Sequence, residues 1–352
     1  KPLSLLRFLR GTRGKDAPMH PLMHWHHILA LMLICSSSSA IHLAAPFADT
    51  AFAALQPLRQ VSRTSREPAL RQNVKMAALS DGDTIVVAGA TGGVGQLVTQ
   101  RLAQLGRFKV RALSRSPERA SGPGGPLEAL AAQGVEVARG DVRDPSSLPS
   151  ALADASAVVV CTGTTAFPTG KWKGGNTPKA IDEEGTRAVV EQLRKQGGLK
   201  KFALPTSIGV RRPGQLPFSI LNLFGVLDAK KSGEEAVMSA SKECGYDYVI
   251  VRPGRLIGGP YTNPDVATLL KIEGGDKQRV EIAPGDQMAG DCLRVSVAEA
   301  IVQALLCPAL DGVSIDFSII NSKGDPPTDA DWGEAMTKLE THFRAAGQTQ
   351  VA

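Results

Sequence analysis

From Asp83 onward, short apolar runs rich in β-branched residues alternate with longer stretches whose apolar positions recur at helical spacing. TIVVAGA (84–90), FKVRALSR (108–115), VEVARGDV (135–142), AVVVCTG (157–163), KFALPTS (201–207), YDYVIVRPG (246–254) and VSIDFSIIN (313–321) read as strands. Between them VGQLVTQRLAQLG (ending at Gly106), LEALAAQG, the stretch 177–197, the stretch 226–243 and VSVAEAIVQALLCP (295–308) read as helices. Strand–helix alternation is the pattern of parallel βαβ units, and runs apolar on both faces fit a sheet covered on both sides. The prediction is a single α/β domain over residues 81–325, a Rossmann-like doubly wound parallel sheet. A small C-terminal elaboration on the substrate side, built after about residue 208, and a helix or tail over 326–352 complete it.

The first eighty residues follow a different rhythm. HHILALMLICSSSSA (26–40) is an apolar core closed by small residues, too short to span a bilayer, and reads as a signal-peptide core. Residues 44–75 then run rich in Ala, Ser and Arg, with Asp49 and Glu67 as their acidic residues, as transit peptides do. Residues 1–80 are predicted to be a targeting leader, addressed to the chloroplast or, alternatively, the mitochondrion. Charge follows the same division. Residues 1–80 hold ten Lys/Arg against three Asp/Glu, a balance of +7, which leaves 30 against 31, or −1, for the other 272. The net +6 therefore belongs to the leader, and the neutral remainder argues against nucleic acid as a partner. Five of the six histidines also lie in the leader, and its HWHH cluster has no Cys or carboxylate ligands beside it, so no metal site is predicted. The five cysteines form no C-x-x-C pair, which suits a reducing compartment, and Cys161 reads as a core residue.

The candidate chemistry begins at VVAGATGGVG (86–95). Gly89, Gly92 and Gly95 form G-x-x-G-x-x-G after a strand and at the start of a helix, with Ala90, Thr91, Gly93 and Val94 between them. The first glycine permits a tight turn, the second lets backbone N–H groups approach a pyrophosphate, and the third lets helix and strand pack closely. The second strand ends in Ala112-Leu113-Ser114-Arg115-Ser116, with no carboxylate for a ribose 2′-hydroxyl. Ser114 and Arg115 instead suit a 2′-phosphate, which predicts NADP; the alternative for Arg115 is a solvated strand-end position. At the end of the third strand, Asp141 can accept from the adenine amino group with Val142 against the ring, or it can cap the turn at Pro145. Gly163 and Thr164, after the fourth strand, border the cofactor.

GATGGVG, VRALSRSPERA, GDV, GGLKKFALPTSIGV, FSILNLFGVLDAKKSGEEAV and YDYVIVRPGRL together resemble the atypical short-chain dehydrogenase/reductases. The similarity covers about residues 84–322 and points to the plastid branch akin to the redox-responsive subunit of the chloroplast import translocon. NmrA-like regulators and biliverdin/flavin reductases are more distant. The resemblance implies a nicotinamide near Thr206 and Ser207, near the family lysine followed four residues later by Glu (Lys231 and Glu235), and against Arg252-Pro253-Gly254. The wider superfamily places its proton-donating Tyr four residues before the Lys, a position held here by Leu227. No lysine stands four residues after Tyr246, Tyr248 or Tyr261. Two functions follow. One is an NADPH-dependent reductase of a small conjugated metabolite, with Ser207 and Lys231 around the nicotinamide. The other is a non-catalytic NADP(H)-sensing module docked to a plastid membrane or protein complex. Either is expected as a monomer or weak oligomer, and the loop FPTGKWKGGN (167–176) is a substrate lid or an exposed surface loop.

Overall fold

β1 (Thr84–Ala88) leads through the glycine loop into α1 (Gly93–Leu105), which ends at Gly106 in the left-handed region. The computed structural model describes residues 78–259 and 276–349. The signal-like core, the transit-like stretch, the HWHH cluster and Tyr261 lie outside the described residues.

β2 (Lys109–Ser114), β3 (Glu136–Arg139) and β4 (Ala155–Val160) follow. The stretch read as one helix over 177–197 divides into a π-helical turn, Lys179–Gly185, and α2 (Thr186–Gln196). Then come β5 (Lys201–Pro205), a short helix Phe218–Leu221, α3 (Val226–Cys244) and β6 (Asp247–Pro253). The chain continues as β7 (Arg255–Ile257), β8 (Arg279–Pro284), β9 (Asp291–Leu293), α4 (Arg294–Leu306), β10 (Ile315–Ser322) and α5 (Asp329–Thr349).

The main sheet has the order β3-β2-β1-β4-β5-β6-β10-β8 and is parallel except for β8, which pairs antiparallel with β10. β1 shows why both faces are covered. Ile85 and Val87 pack with Val98 and Leu102 of α1 and Ile301 and Leu305 of α4. Val86 and Ala88 turn the other way, into the layer holding Val189 and Leu193 of α2 and Val237 of α3. Nine of these eleven side chains are fully buried, and Ala88 and Leu193 retain only 2% and 3% exposure. Each buried Val, Leu or Ile contributes about 1.5–3 kcal/mol. α5 adds Trp332, Met336 and Leu339 to the α1/α4 side.

The seven strands expected from the sequence are present; β8 and the separate parallel pair β7–β9 were not expected. RVEIAP of β8 is exposed or half-buried at every position, so it lacks the unbroken apolar run that marks the interior strands. The π turn also has a local cause. A Cβ on Gly185 would stand 2.7 Å from Val142 Cγ2, so the turn lies directly against the loop that follows β3. Chain order reverses about β1, whose neighbours are β2 and β4, and the crevice beyond their carboxyl ends is where open α/β sheets hold ligands.

Candidate functional site

A groove of about 410 Å³ occupies that crevice. Gly89, Thr91, Gly92, Ser114, Arg115, Asp141, Val142, Gly163 and Thr164, all expected from the sequence, line it together. Of the other loop residues, Ala90 is fully buried behind it, and Gly93, Val94 and Gly95 start α1. Gly89 has φ +76, and a Cβ there would meet the Cys161 carbonyl carbon and the Thr162 nitrogen at 2.8 Å. The Gly92 N–H closes the turn by donating to Gly89 O at 2.9 Å. α1 starts with neither a side-chain cap nor an acidic residue in its first turn, so its N–H groups and positive dipole end remain available to an anion. Thr162 Oγ1 is buried without a hydrogen-bond partner at the groove wall. A backbone cradle without Cβ atoms and an orphaned hydroxyl both fit a bound dinucleotide.

At the β2–β3 end, Ser114 Oγ accepts from the Ser116 N–H at 3.1 Å, and Arg115 Nη1 donates to Asn176 Oδ1 at 3.4 Å. Asp141 does not cap the turn at Pro145; it is tied to Arg143. Its Oδ1 accepts from the Arg143 backbone N–H at 3.0 Å and from Arg143 Nε at 3.1 Å, while Oδ2 accepts from Nη2 at 2.7 Å. The turn at Pro145 is capped by Asp144, which accepts from the Ser146 N–H. Partial burial pushes the Asp141 carboxyl up, but the Arg143 bonds and the nearby Arg115 charge outweigh it and hold it below the usual range. Arg143 also lines the groove, a residue the sequence reading did not single out. Its signal was a second basic residue directly after Gly-Asp-Val.

The opposite end corrects the lysine. Lys230 Nζ donates to Asp182 Oδ1 at 2.6 Å, and Thr164 Oγ1 donates to Asp182 Oδ2 at 2.8 Å. Asp182 is 5% exposed inside the π turn, and a Cβ on Gly163 would come within 3.4 Å of both Asp182 Oδ1 and Lys230 Nζ. Lys231, expected at the nicotinamide, instead lies on the solvent side of α3, with its ammonium 3.9 Å from Glu235. Neighbouring helical residues point about 100° apart, so Lys230 turns inward to Asp182 beside Gly163 while Lys231 turns to solvent. The residue four before Lys230 is Val226, so the shift restores no tyrosine. Tyr246 donates to Val237 O and stacks on Phe202 in the core, where burial pushes its phenol upward.

Three further expected residues lie away from the groove lining. Ser207 is half-buried and its hydroxyl donates to Ile208 O at 3.0 Å. Thr206 donates to Glu234 Oε1 at 2.6 Å, and Pro253 is buried as the last residue of β6. Arg252 is wholly buried; it donates to Glu234 through Nε and Nη2 and to Asp316 through Nη1, which makes it an internal tie between β6, α3 and β10. Burial pushes the Cys161 thiol up to about 12, so it remains a thiol in the wall of the groove. Beside Thr164, Phe167 and Trp172 each set an edge-to-face contact on Phe224, and Trp172 Nε1 donates to Thr165 O. Among the described residues no group of three or more His, Cys, Asp or Glu side chains is placed to hold a metal ion. No described helix is long and apolar enough to cross a membrane.

The doubly wound sheet with a glycine cradle at its switch point defines a nicotinamide-dinucleotide-binding Rossmann protein. Residues 89–308 match the NAD(P)H-binding family, and the chain belongs to that family. It is 32% identical over 254 residues to Protein TIC 62, chloroplastic, of Arabidopsis thaliana, a match covering 63% of this chain and 37% of that protein. The chain thus spans about two fifths of that relative's length. It is also 33% identical over 125 residues to the NAD(P)H azoreductase of Xenophilus azovorans, covering 36% of each. Among solved structures, the oxidoreductase ylbE of Lactococcus lactis superposes with a TM-score of 0.52 at 20% identity, over 74% of this chain and 98% of that one. That likeness is one of fold.

Proposed function

We propose that the protein is a plastid NADP(H)-dependent reductase that transfers a hydride to a small planar conjugated compound, such as a quinone or flavin. The end of β2 carries the choice of NADP: Ser114 and Arg115 line the groove with Arg143, and β2 offers no carboxylate to a ribose 2′-hydroxyl. The transit-like leader and the chloroplastic relative support the plastid, and the azoreductase relative supports reduction.

When bound, the reduced nicotinamide supplies the hydride. The chain's own part is threefold. Its glycine loop holds the pyrophosphate, Phe167, Trp172 and Phe224 offer an apolar wall for a flat substrate, and Lys230 Nζ presents a proton. Asp182, itself fixed by the Thr164 hydroxyl, holds that ammonium beside Gly163, and Lys230 takes the proton-supplying role expected of Ser207 and Lys231. A second reading, a non-catalytic NADP(H)-sensing module docked to a plastid membrane or complex, is favoured by the lack of a tyrosine four residues before Lys230 and by Leu216 and Leu223, which are 75% and 60% exposed. Both readings take the chain as a monomer or weak oligomer.

Two measurements test this. Fluorescence titration is expected to show NADPH binding at least about tenfold tighter than NADH, with Arg115→Ala removing most of that preference; equal affinities in the wild type would refute the NADP assignment. With NADPH and a panel of quinones, flavins and biliverdin, Lys230→Met is expected to lower turnover by about a hundredfold or more. Lys231→Met, altering a solvent-side lysine, should leave turnover within about twofold. Tight NADPH binding with no turnover of any compound in the panel favours the sensor instead.

A further inference from the structure

The segment 170–176 crosses from the β4 side of the groove to the arginines at the β2–β3 end. Arg143 Nη1 donates to Gly174 O at 2.6 Å, and Arg115 Nη1 donates to Asn176 Oδ1 at 3.4 Å. Gly174 and Gly175 both have left-handed φ, +72 and +82, and a Cβ at either would meet nothing within 4 Å. The turn is therefore shaped by its backbone and held from outside by the two guanidinium groups. The same segment contains Trp172, which rests against Phe224.

We propose that Arg143 is a second determinant of specificity for the 2′-phosphate, and that the phosphate competes with Gly174 O and Asn176 for the two arginines, making the segment a strap that responds to the cofactor. The proposal rests on the NADP reading above. Arg143 uses Nε and one N–H of Nη2 on Asp141 and one N–H of Nη1 on Gly174 O. A guanidinium has five N–H donors, so two remain to meet a phosphate first, and turning the fork fully onto it then costs the bond to Gly174 O. Asp141 fixes the fork and takes up one positive charge, while Arg115 nearby leaves the corner net positive, as a phosphate requires. A dianionic phosphate is also a stronger acceptor than a backbone carbonyl or a side-chain amide. Its arrival draws Arg115 and Arg143 inward, frees Gly174 and Asn176, and loosens the segment that seats Trp172 on Phe224. One site then reports cofactor identity at the other end of the groove.

The test uses the full chain and two probes that differ only in the 2′-phosphate, adenosine 2′,5′-bisphosphate and AMP. Binding is read by calorimetry and by tryptophan emission, with a Trp172→Phe variant subtracting Trp25 and Trp332. The bisphosphate is expected to shift Trp172 emission saturably while AMP does not. Arg143→Ala is expected to weaken the bisphosphate by about ten- to a hundredfold and leave AMP within about threefold. Arg143→Lys, which keeps the charge but loses the fork, should fall between. Equal weakening of both probes would mean that Arg143 stacks on adenine and would overturn the proposal, as would no weakening of either. Bisphosphate binding without a change in Trp172 emission would overturn the strap. If the wild type binds the bisphosphate no better than AMP, the NADP reading itself fails, and that result is distinct from an intact preference that ignores Arg143.

Discussion

Gly95→Ala is expected to abolish measurable NADPH binding and to lower the stability of the domain. A Cβ at this position would stand 2.2 Å from Gly89 O, 2.8 Å from Gly89 C and 3.0 Å from Ala90 Cα. All three are backbone atoms, so no side chain can swing away. Gly95 lies in the first turns of α1, and the only relief is to push that end of the helix off β1. Gly89 O also accepts the Gly92 N–H, so the displacement opens the turn that shapes the phosphate cradle. Overpacking a tight interior usually costs about 1–3 kcal/mol, and a clash against main chain belongs at the upper end. Binding suffers more than stability, because oriented N–H groups lose their aim with a small shift. Gly92→Ala, which would meet Gly89 O at 3.2 Å, should weaken NADPH much less, and Gly106→Ala, with nothing within 4 Å, should leave binding within about threefold while bearing only local left-handed strain. Urea unfolding and NADPH titration of the three variants check this order. A Gly95→Ala protein that binds NADPH like the wild type would show that the close approach is not what holds the loop.

The parts of the fold legible in the sequence were those set by local rhythm. β1 and β4 to β6 are largely apolar runs bounded by glycines or polar residues, β2, β3 and β10 mix apolar with polar positions, and the glycine loop announces itself by position as well as spacing. The edge strand β8 and the β7–β9 pair draw their pairing from remote partners and leave little periodic trace. The lysine shows where local reading runs out. Lys230 with Glu234 and Lys231 with Glu235 are overlapping copies of one spacing, and nothing in the pair itself chooses between them. The choice is made by the buried face of α3, where Val226, Gly233, Val237 and Ala240 share a helical row with Lys230 and Glu234. That row was visible as a periodicity, but its weight depended on Glu234 finding Arg252 across the fold. Arg143 was hidden for a similar reason: a basic residue after Gly-Asp-Val looks solvated until the segment 170–176 crosses to meet it.

Arg252→Met is expected to destabilise the domain by about 3–5 kcal/mol, a large share of the roughly 5–15 kcal/mol that holds a typical domain folded. Arg252 is 0% exposed, and its partners Glu234 and Asp316 are 1% and 5% exposed. Burial alone would draw the guanidinium pKa down; the two carboxylates outweigh that and keep it charged. Methionine fills much of the volume but leaves two buried carboxylates facing each other, with Arg211, 3.0 Å from Asp316, as a partial counter-charge from a half-exposed position. Arg211→Ala should therefore cost no more than about 1 kcal/mol. Adding Glu234→Gln and Asp316→Asn to Arg252→Met should recover much of the loss, since the cost comes from stranded charge rather than a missing bond. Denaturant midpoints of the single and triple variants measure this directly. A loss under about 1 kcal/mol for Arg252→Met alone would mean that water reaches the carboxylates. The consequence extends to the groove: Glu234 shares the inner face of α3 with Lys230, so releasing it from Arg252 loosens the helix that holds the ammonium against Asp182. NADPH affinity should accordingly fall in the single variant and return with stability in the triple one.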